Sequence, residues 1–276
     1  MRKIYSVLKY LCIAALVISM ISLVAVVAYV IEGGVDKLSS ELLLGDYKGG
    51  PSILPAFVGT LQLVGISTVI AAPIGIFSAI YLVEYTNNKG GFVKIVQVAT
   101  ETLAGIPSIV YGLFGYLIFV VAFGWGYSII GGGITLAIMI LPIIVRSTQE
   151  SLLAVQGGLR EGAYALGASK VRTVFKIILP SAAGGIVTAI ILAIGRVVSE
   201  SAVLILTIGM VVNKIPATLM SPGTSLALDI YYFASHGYPD EAAATAVVLL
   251  VFVILLDLLA GLVGNIIKKS FYGDEK

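Results

Sequence analysis

Long stretches of this chain lack any Asp, Glu, Lys or Arg. These uncharged runs cover residues 11–31, 51–83, 102–145 and 177–195, and a fifth run over residues 242–267 is interrupted only by Asp257. About 20 apolar residues are needed to cross the hydrocarbon core of a bilayer, and an α-helix satisfies its own backbone hydrogen bonds there. The pattern therefore predicts an all-α integral membrane protein.

The third uncharged run is long enough for two membrane-spanning helices, because it has 44 residues. Its middle, Phe123–Tyr127, contains two glycines, a tryptophan and a tyrosine, and Gly131–Gly133 follow shortly after. Glycines favour turns, and tryptophan and tyrosine favour the membrane interface. We therefore predict a turn over these residues and six transmembrane helices in all.

Composition agrees with this prediction, because 59% of the residues are hydrophobic and 12% are charged, against about 25% charged in a soluble domain. If the N-terminus is cytoplasmic, six spans leave thirteen Lys and Arg residues inside and only Lys37, Lys48 and Lys214 outside. This excess follows the positive-inside rule. We expect a multi-pass protein of the cytoplasmic (inner) membrane, in contact with membrane lipid, with both termini in the cytoplasm.

Residues 1–50 are predicted to form an N-terminal transmembrane helix with an external segment, and residues 51–276 a five-helix core. The first helix is expected to be retained, since its apolar run is too long for a signal peptide. Connections within the core are expected inside at 84–101, partly helical, and at 146–176, and outside at 201–241. The net charge is +2 without a dense basic patch, so no nucleic-acid partner is expected.

The inner connection at 146–176 carries a helical pattern. In its second half, apolar residues recur at helical spacing and share one face, namely Val171, Val174, Phe175 and Ile178. A shorter apolar stripe precedes them, made of Leu159, Ala163 and Leu166, and it ends at Gly167, a residue type that terminates helices. Pro180 suits the first turn of the helix that follows. These residues predict a helix, a glycine turn and a second helix that leads into the fifth span.

Two uses of this connection remain open from its residues alone. The small residues would let the surface of another protein approach closely, namely Gly162, Ala163, Gly167 and Ala168. Alternatively, an amphipathic helix could rest on the lipid headgroups with its bases toward anionic lipid.

The same connection resembles a motif of bacterial ABC importer permeases. The family's EAA loop has Glu-x-Ala, then a glycine, then Ile-x-Leu-Pro, at spacings met here by Glu161, Ala163, Gly167, Ile177, Leu179 and Pro180. The resemblance implies an EAA loop at 161–180, with a coupling helix that docks on a cytoplasmic ATPase subunit. It assigns that contact to Glu161, Gly162, Ala163, Gly167 and Lys170. Gly162 departs from the alanine that is common there.

Further stretches are similar to permeases of phosphate importers of the A type (PstA-like), namely residues 102–115, 141–150, 165–170 and 194–202. Ser199 and Ser201 depart from the family's usual glycine and threonine. The resemblance implies a MetI-like core and transport of inorganic phosphate. It also implies a second permease subunit, an ATPase dimer that binds ATP and Mg²⁺, and an external phosphate-binding protein as partners. No cofactor is expected in this chain.

Arg196 and Glu200 are four residues apart, so on a helix they share a face and can pair. A helix from Ile177 places Arg196 about 28 Å along its axis, near the outer interface, where a structural ion pair with a snorkelling arginine is one interpretation. The other places both residues in the substrate pathway, because a guanidinium donates two parallel hydrogen bonds to an oxyanion. The family resemblance implies the second interpretation.

No enzymatic activity is expected of this chain, because it has no phosphate-binding Gly-Lys-Ser/Thr loop. No catalytic or metal-ligating residues are predicted, and the lone histidine, His236, has no ligand partners at suitable spacing. Three alternatives to phosphate import remain open. They are a permease for another oxyanion such as sulfate or molybdate, an ATP-independent secondary transporter or channel, and a membrane docking protein that signals phosphate status.

Overall fold

The computed structural model describes residues 2–45, 51–86 and 90–272, and no strand occurs among them. Lys48, Lys89 and Lys276, which entered the prediction of topology, lie outside the described residues. In chain order the α-helices are α1 Arg2–Gly34, α2 Ser40–Leu44, α3 Leu54–Ile80, α4 Gly91–Ala104, α5 Ser108–Gly115, α6 Ile129–Leu153, α7 Gly157–Ala165, α8 Lys170–Thr173, α9 Leu179–Val198, α10 Ala202–Thr207, α11 Leu226–Ser235 and α12 Pro239–Tyr272. A 3₁₀ turn covers Val35–Lys37, and π-helical turns cover Tyr81–Tyr85, Tyr116–Ala122 and Val174–Ile178.

The predicted all-α membrane architecture is confirmed. Five continuous helices are long and apolar enough to span a bilayer, namely Val7–Lys37, Leu54–Tyr85, Ile129–Leu153, Lys170–Val198 and Pro239–Leu259. A sixth span exists if α4 and α5 together supply it, but the chain bends by 98° between them. The bend lies at Gly105–Pro107, where the residue before a proline avoids helical geometry.

The predicted turn between α5 and α6 is shorter than expected. Gly124 and Gly126 have φ angles of +67° and +69°, a conformation that glycine adopts at little cost. Gly131–Gly133, which the sequence placed in the turn, instead lie buried near the start of α6. A Cβ atom on Gly132 would collide with Ile208, and one on Gly133 with Ile66, so these glycines allow close helix contacts.

The second helix of the connection runs on into the fifth span, from Lys170 to Val198, and Pro180 lies in the first turn of α9, as predicted. The π-helical turn Val174–Ile178 lies just before the proline, and the amide of Leu179 donates to the carbonyl of Val174. A π-turn adds a residue to the local repeat and rotates the faces of the helix. Val174 and Ile178 are buried as predicted, whereas Val171 and Phe175 are exposed.

The core of the bundle is formed by α3, α6 and α9, with α12 packed on α9. Its buried side chains include Leu63 of α3 together with Leu136, Ile140 and Ile144 of α6. The first helix contacts α12 and is otherwise open to the surroundings. Lys37 Nζ and Asp240 Oδ2, 2.7 Å apart, join the two helices at one end.

The connection between the fifth and sixth spans folds back on the starts of α3 and α6. The amides of Ile129 and Ile130 donate to the carbonyls of Ser221 and Leu219 at 3.1 and 2.9 Å. The amide of Leu226 donates to Thr60 Oγ1 at 3.0 Å. These bonds fix α10 and α11 at the end of the bundle opposite to α7.

Gly59 is expected to be essential for this arrangement. A Cβ atom there would collide with the carbonyl oxygen of Thr224, so Gly59→Ala must push the connection away from α3. Overpacking of this kind costs about 1–3 kcal/mol, and a lower unfolding temperature in detergent is the expected result. Gly65→Ala, on the same helix with nothing within 4 Å of its Cβ position, is the matched control. Equal stability of the two variants would contradict this close approach.

Candidate functional site

The segment from Gly157 to Thr173 is a helix, a glycine turn and a second helix, as predicted. Gly167 has a φ angle of +77°, and its amide donates to the carbonyl of Tyr164 at 2.9 Å. The amide of Ala168 donates to the carbonyl of Ala163 at 3.0 Å. This pair of bonds is the Schellman motif that ends many helices. Ser169 then caps α8 by accepting from the amide of Arg172 at 3.4 Å.

Four of the five residues assigned to ATPase contact are exposed, namely Glu161, Gly162, Gly167 and Lys170. Ala163 is 5% exposed, so its side chain is covered within the protein, and its assignment to ATPase contact stays a prediction. The predicted apolar stripe is wrong at its ends. Leu159 is 39% and Leu166 is 90% exposed. Leu166 lies just beyond the end of α7 at Ala165, so it does not continue the helical stripe.

The sequence prediction missed the structural role of Arg160, which it counted only among the basic residues expected on the cytoplasmic side. Its Nε and Nη2 atoms donate to Glu84 Oε1 at 3.1 and 2.8 Å. Nη2 also donates to the carbonyl of Leu152 at 2.8 Å, and Nη1 to that of Val155 at 2.9 Å. Its position beside Glu161 was visible in the sequence, but Glu84 is 76 residues away.

The predicted pairing of Arg196 with Glu200 is wrong. The helix α9 ends at Val198, two residues before Glu200, so helical spacing no longer brings the two side chains together. Glu200 Oε1 instead accepts from the amide of Val203 at 3.3 Å, at the start of α10. Among the residues that the structure describes, no carboxylate oxygen lies within 4.0 Å of the exposed Arg196.

Asp229 is a second residue that the sequence prediction missed. It lies in the first turn of α11 and is fully buried. Thr224 Oγ1 donates to Asp229 Oδ1, while Oδ2 has no hydrogen-bond partner in the described part of the chain. Burial raises the pKa of Asp229 to about 7. The residues around Asp229 in the sequence do not indicate that it is buried, since one acidic residue in an apolar helix also suits an exposed position.

The family of proteins described as "Binding-protein-dependent transport system inner membrane component" matches residues 71–270. The chain is also 32% identical over 268 residues to the probable ABC transporter permease protein YqgI of Bacillus subtilis (strain 168), with 90% of each chain covered. This chain belongs to that family of transporter permeases. The permease is therefore a membrane component of a transporter.

A second relative names a substrate. The phosphate transport system permease protein PstA of Pasteurella multocida (strain Pm70) is 36% identical to the permease over 240 residues, which cover 83% of each chain. This similarity confirms the resemblance to A-type permeases that the sequence motifs indicated.

Solved structures share the fold. The permease matches a chain of the MetNI methionine ABC transporter in an inward-facing conformation, with a TM-score of 0.66, 20% identity and 78% and 95% of the two chains covered. It also matches a chain of a bacterial alginate ABC transporter in complex with an alginate pentasaccharide-bound periplasmic protein. There the TM-score is 0.68 at 15% identity, with 91% and 92% of the chains covered. The predicted MetI-like core is thus confirmed.

Gly167 and Gly162 of the permease form a matched pair for mutation. Gly167→Ala places a side chain in a left-handed conformation, at a cost of about 1–2 kcal/mol. We expect faster hydrogen–deuterium exchange at the amides of Gly167 and Ala168, because the Schellman bonds weaken. Gly162→Ala has nothing within 4 Å of its Cβ position and favours the helix, so exchange there is expected to stay unchanged or slow down. Equal acceleration in both variants would contradict this role of the turn.

Asp229 predicts a pH dependence of stability. Its folded pKa of about 7 exceeds the ordinary value near 4, so the folded state binds this proton more tightly than the unfolded state. The associated stabilisation is complete below about pH 4 and is lost as the pH rises through about 7. Thermal unfolding of the purified permease is expected to occur at lower temperature at pH 8 than at pH 5, and Asp229→Asn should flatten this difference. Asp36→Asn, at an exposed carboxylate outside the salt bridges of the described residues, is the control. An unchanged pH dependence of the unfolding temperature in Asp229→Asn would contradict the assignment.

Proposed function

We propose that the permease is one of two membrane subunits of an ATP-driven ABC importer and that it carries inorganic phosphate into the cell. The observation that carries this proposal is the 36% identity to the Pasteurella multocida phosphate permease along 83% of both chains. Because that similarity covers most of both chains, it involves the spans as well as the connections.

The orientation proposed for the permease follows its basic residues. Arg160, Lys170 and Arg172 cluster at the α7 end of the bundle, and by the positive-inside rule this supports an orientation with this end and both termini in the cytoplasm. The connection that carries α10 and α11 then faces outward. It is the surface proposed to receive phosphate from an external binding protein. The many exposed apolar side chains of the long helices suit contact with lipid and with a second permease subunit.

Arg196 is proposed to meet the phosphate in the pathway. It occupies the last turn of α9, and in the described part of the chain no carboxylate neutralises it. A guanidinium that lacks a protein partner can give two parallel N–H bonds to phosphate oxygens. Glu200 is proposed to act nearby by fixing the start of α10 and by limiting the attraction for the anion, which must also be released.

The energy for transport is proposed to come from a partner ATPase dimer, which would bind ATP and Mg²⁺. The ATPase is proposed to dock on an exposed surface formed by Glu161, Gly162, Gly167 and Lys170. The buried Ala163 is proposed to support the position of α7. Nucleotide-driven closure of the ATPase would move α7 and switch the bundle between inward-facing and outward-facing states, a rigid-body change typical of such switches.

Reconstitution tests the proposal. The permease, its second permease subunit, the ATPase and the binding protein are placed in proteoliposomes, and uptake of radiolabelled phosphate is measured. ATP-dependent uptake is expected. Arg196→Lys should reduce this uptake at least about tenfold, because a hydrogen bond to a charged group contributes about 1.5–3 kcal/mol. Lysine cannot reproduce the two parallel N–H donors of the guanidinium. Assembly with the ATPase should be unaffected.

Arg146→Lys is the control for this variant, because it makes the same exchange at an exposed arginine on the surface of α6. Uptake that persists without the ATPase would refute the ATP-driven importer and favour a secondary transporter. If unlabelled sulfate or molybdate inhibits the uptake of labelled phosphate as strongly as unlabelled phosphate does, phosphate is refuted as the specific substrate. Normal uptake by Arg196→Lys would leave Arg196 with a structural role only.

A further inference from the structure

The end of α3 contains a buried carboxylate. Glu84 lies in the π-helical turn Tyr81–Tyr85 that ends this span, and its side chain is 6% exposed. A buried charge is costly unless it is paired and hydrogen-bonded. Such π-turns are frequent at functional positions in helices. The partner of Glu84 therefore shows what this turn is attached to.

That partner is Arg160 on α7, and it joins three elements at once. One guanidinium holds Glu84 at the end of α3, the carbonyl of Leu152 in the last turn of α6, and the carbonyl of Val155 just beyond, at distances of 2.8 to 3.1 Å. Lysine has a single nitrogen and cannot span these acceptors, whereas a guanidinium has five N–H groups in a fixed plane.

A second contact joins the other side of the loop to the same turn. Lys170 Nζ, at the start of α8, lies 5.1 Å from the centroid of the Tyr85 ring, within the range of a cation–π interaction. Arg160 and Lys170 stand on opposite sides of the Gly167 turn. Both sides of the loop are thus attached to neighbouring residues at the end of α3.

An apolar cluster supports these polar contacts. It is formed by Ile80 of α3, Leu152 and Val155 at the end of α6, and Val174 and Ile178 at the start of the fifth span, all 7% exposed or less. Close-packed interiors deform little and transmit displacement. The loop, α3, α6 and the fifth span therefore meet in one packed unit.

We propose that Arg160 and Glu84 connect α7 rigidly to the end of α3, so that a displacement of α7 moves the inner ends of α3 and α6 as one body. Arg160 is a positioning residue in this scheme and touches neither the substrate nor the nucleotide. The inference rests on the proposed function, since it requires an ATPase that moves α7. Without the connection, ATP hydrolysis continues but moves the spans less effectively.

The test is the ratio of phosphate taken up to ATP hydrolysed by the reconstituted complex. Arg160→Lys and Glu84→Gln are each expected to lower this ratio at least about fivefold, the lower end of usual coupling between sites, while ATP hydrolysis remains. Arg146→Lys is the matched control, because its pair with Glu150 on the surface of α6 has Nε and Oε1 3.2 Å apart with both side chains over 60% exposed. A role in folding alone would lower assembly and leave the ratio of the assembled complexes unchanged.

The double variant Arg160→Gln/Glu84→Gln guards against misfolding, since it leaves neither charge buried without its partner. Its ratio is expected to fall no further than that of Glu84→Gln, because both remove the same connection. An unchanged ratio in Arg160→Lys, or a strictly additive loss in the double variant, would overturn the inference. If the wild-type complex hydrolyses ATP but carries another anion, the proposed substrate fails and the ratio is measured with that anion.

Discussion

Close contact at glycines is the constraint on which this permease depends. Lipid surrounds most of its surface, so helices gain little from the hydrophobic effect and associate through packing and hydrogen bonds instead. Ile144 of α6 packs closely against Gly75 of α3, Ile208 packs against Gly132, and the backbone of Thr224 packs against Gly59. These contacts hold α3 against α6 and hold the connection after α9 against both, and thereby fix where the bundle presents its functional residues.

Much of the fold followed from sequence because the bilayer imposes simple rules. Uncharged runs located the spans, and a glycine located the turn in the α7 loop. The misplaced features depend on tertiary contacts: Gly131–Gly133 look like a turn until Ile66 and Ile208 occupy the space beside them. The π-turn before Pro180 changes which residues face inward, and apolar periodicity assumes a regular helix.

The features of the candidate site also divide into those that the sequence predicted and those that depend on tertiary contacts. The helix, glycine turn and helix of the loop were predicted because their spacing is local and resembles a known motif, whereas the burial of Ala163 depends on tertiary packing. The Arg196–Glu200 pair failed because a helix end is hard to locate to within two residues. Arg160 was missed because its partner Glu84 is 76 residues away, and Asp229 because one acidic residue in an apolar helix does not by itself indicate burial. Polar residues inside a membrane protein are best recognised by their partners.

The short apolar segment made of α5 and the π-helical turn after it has a consequence for the surrounding lipid. The eight residues of α5 and the seven of the π-helical turn after it reach roughly 20 Å, against a hydrocarbon core of about 30 Å. The bend before α5 and the glycine turn after it prevent extension at either end. A segment shorter than the hydrocarbon core is accommodated by local thinning of the bilayer, by snorkelling of flanking residues or by packing against another subunit, all forms of response to hydrophobic mismatch. Membrane thickness thus becomes a variable to which this part of the transporter is sensitive.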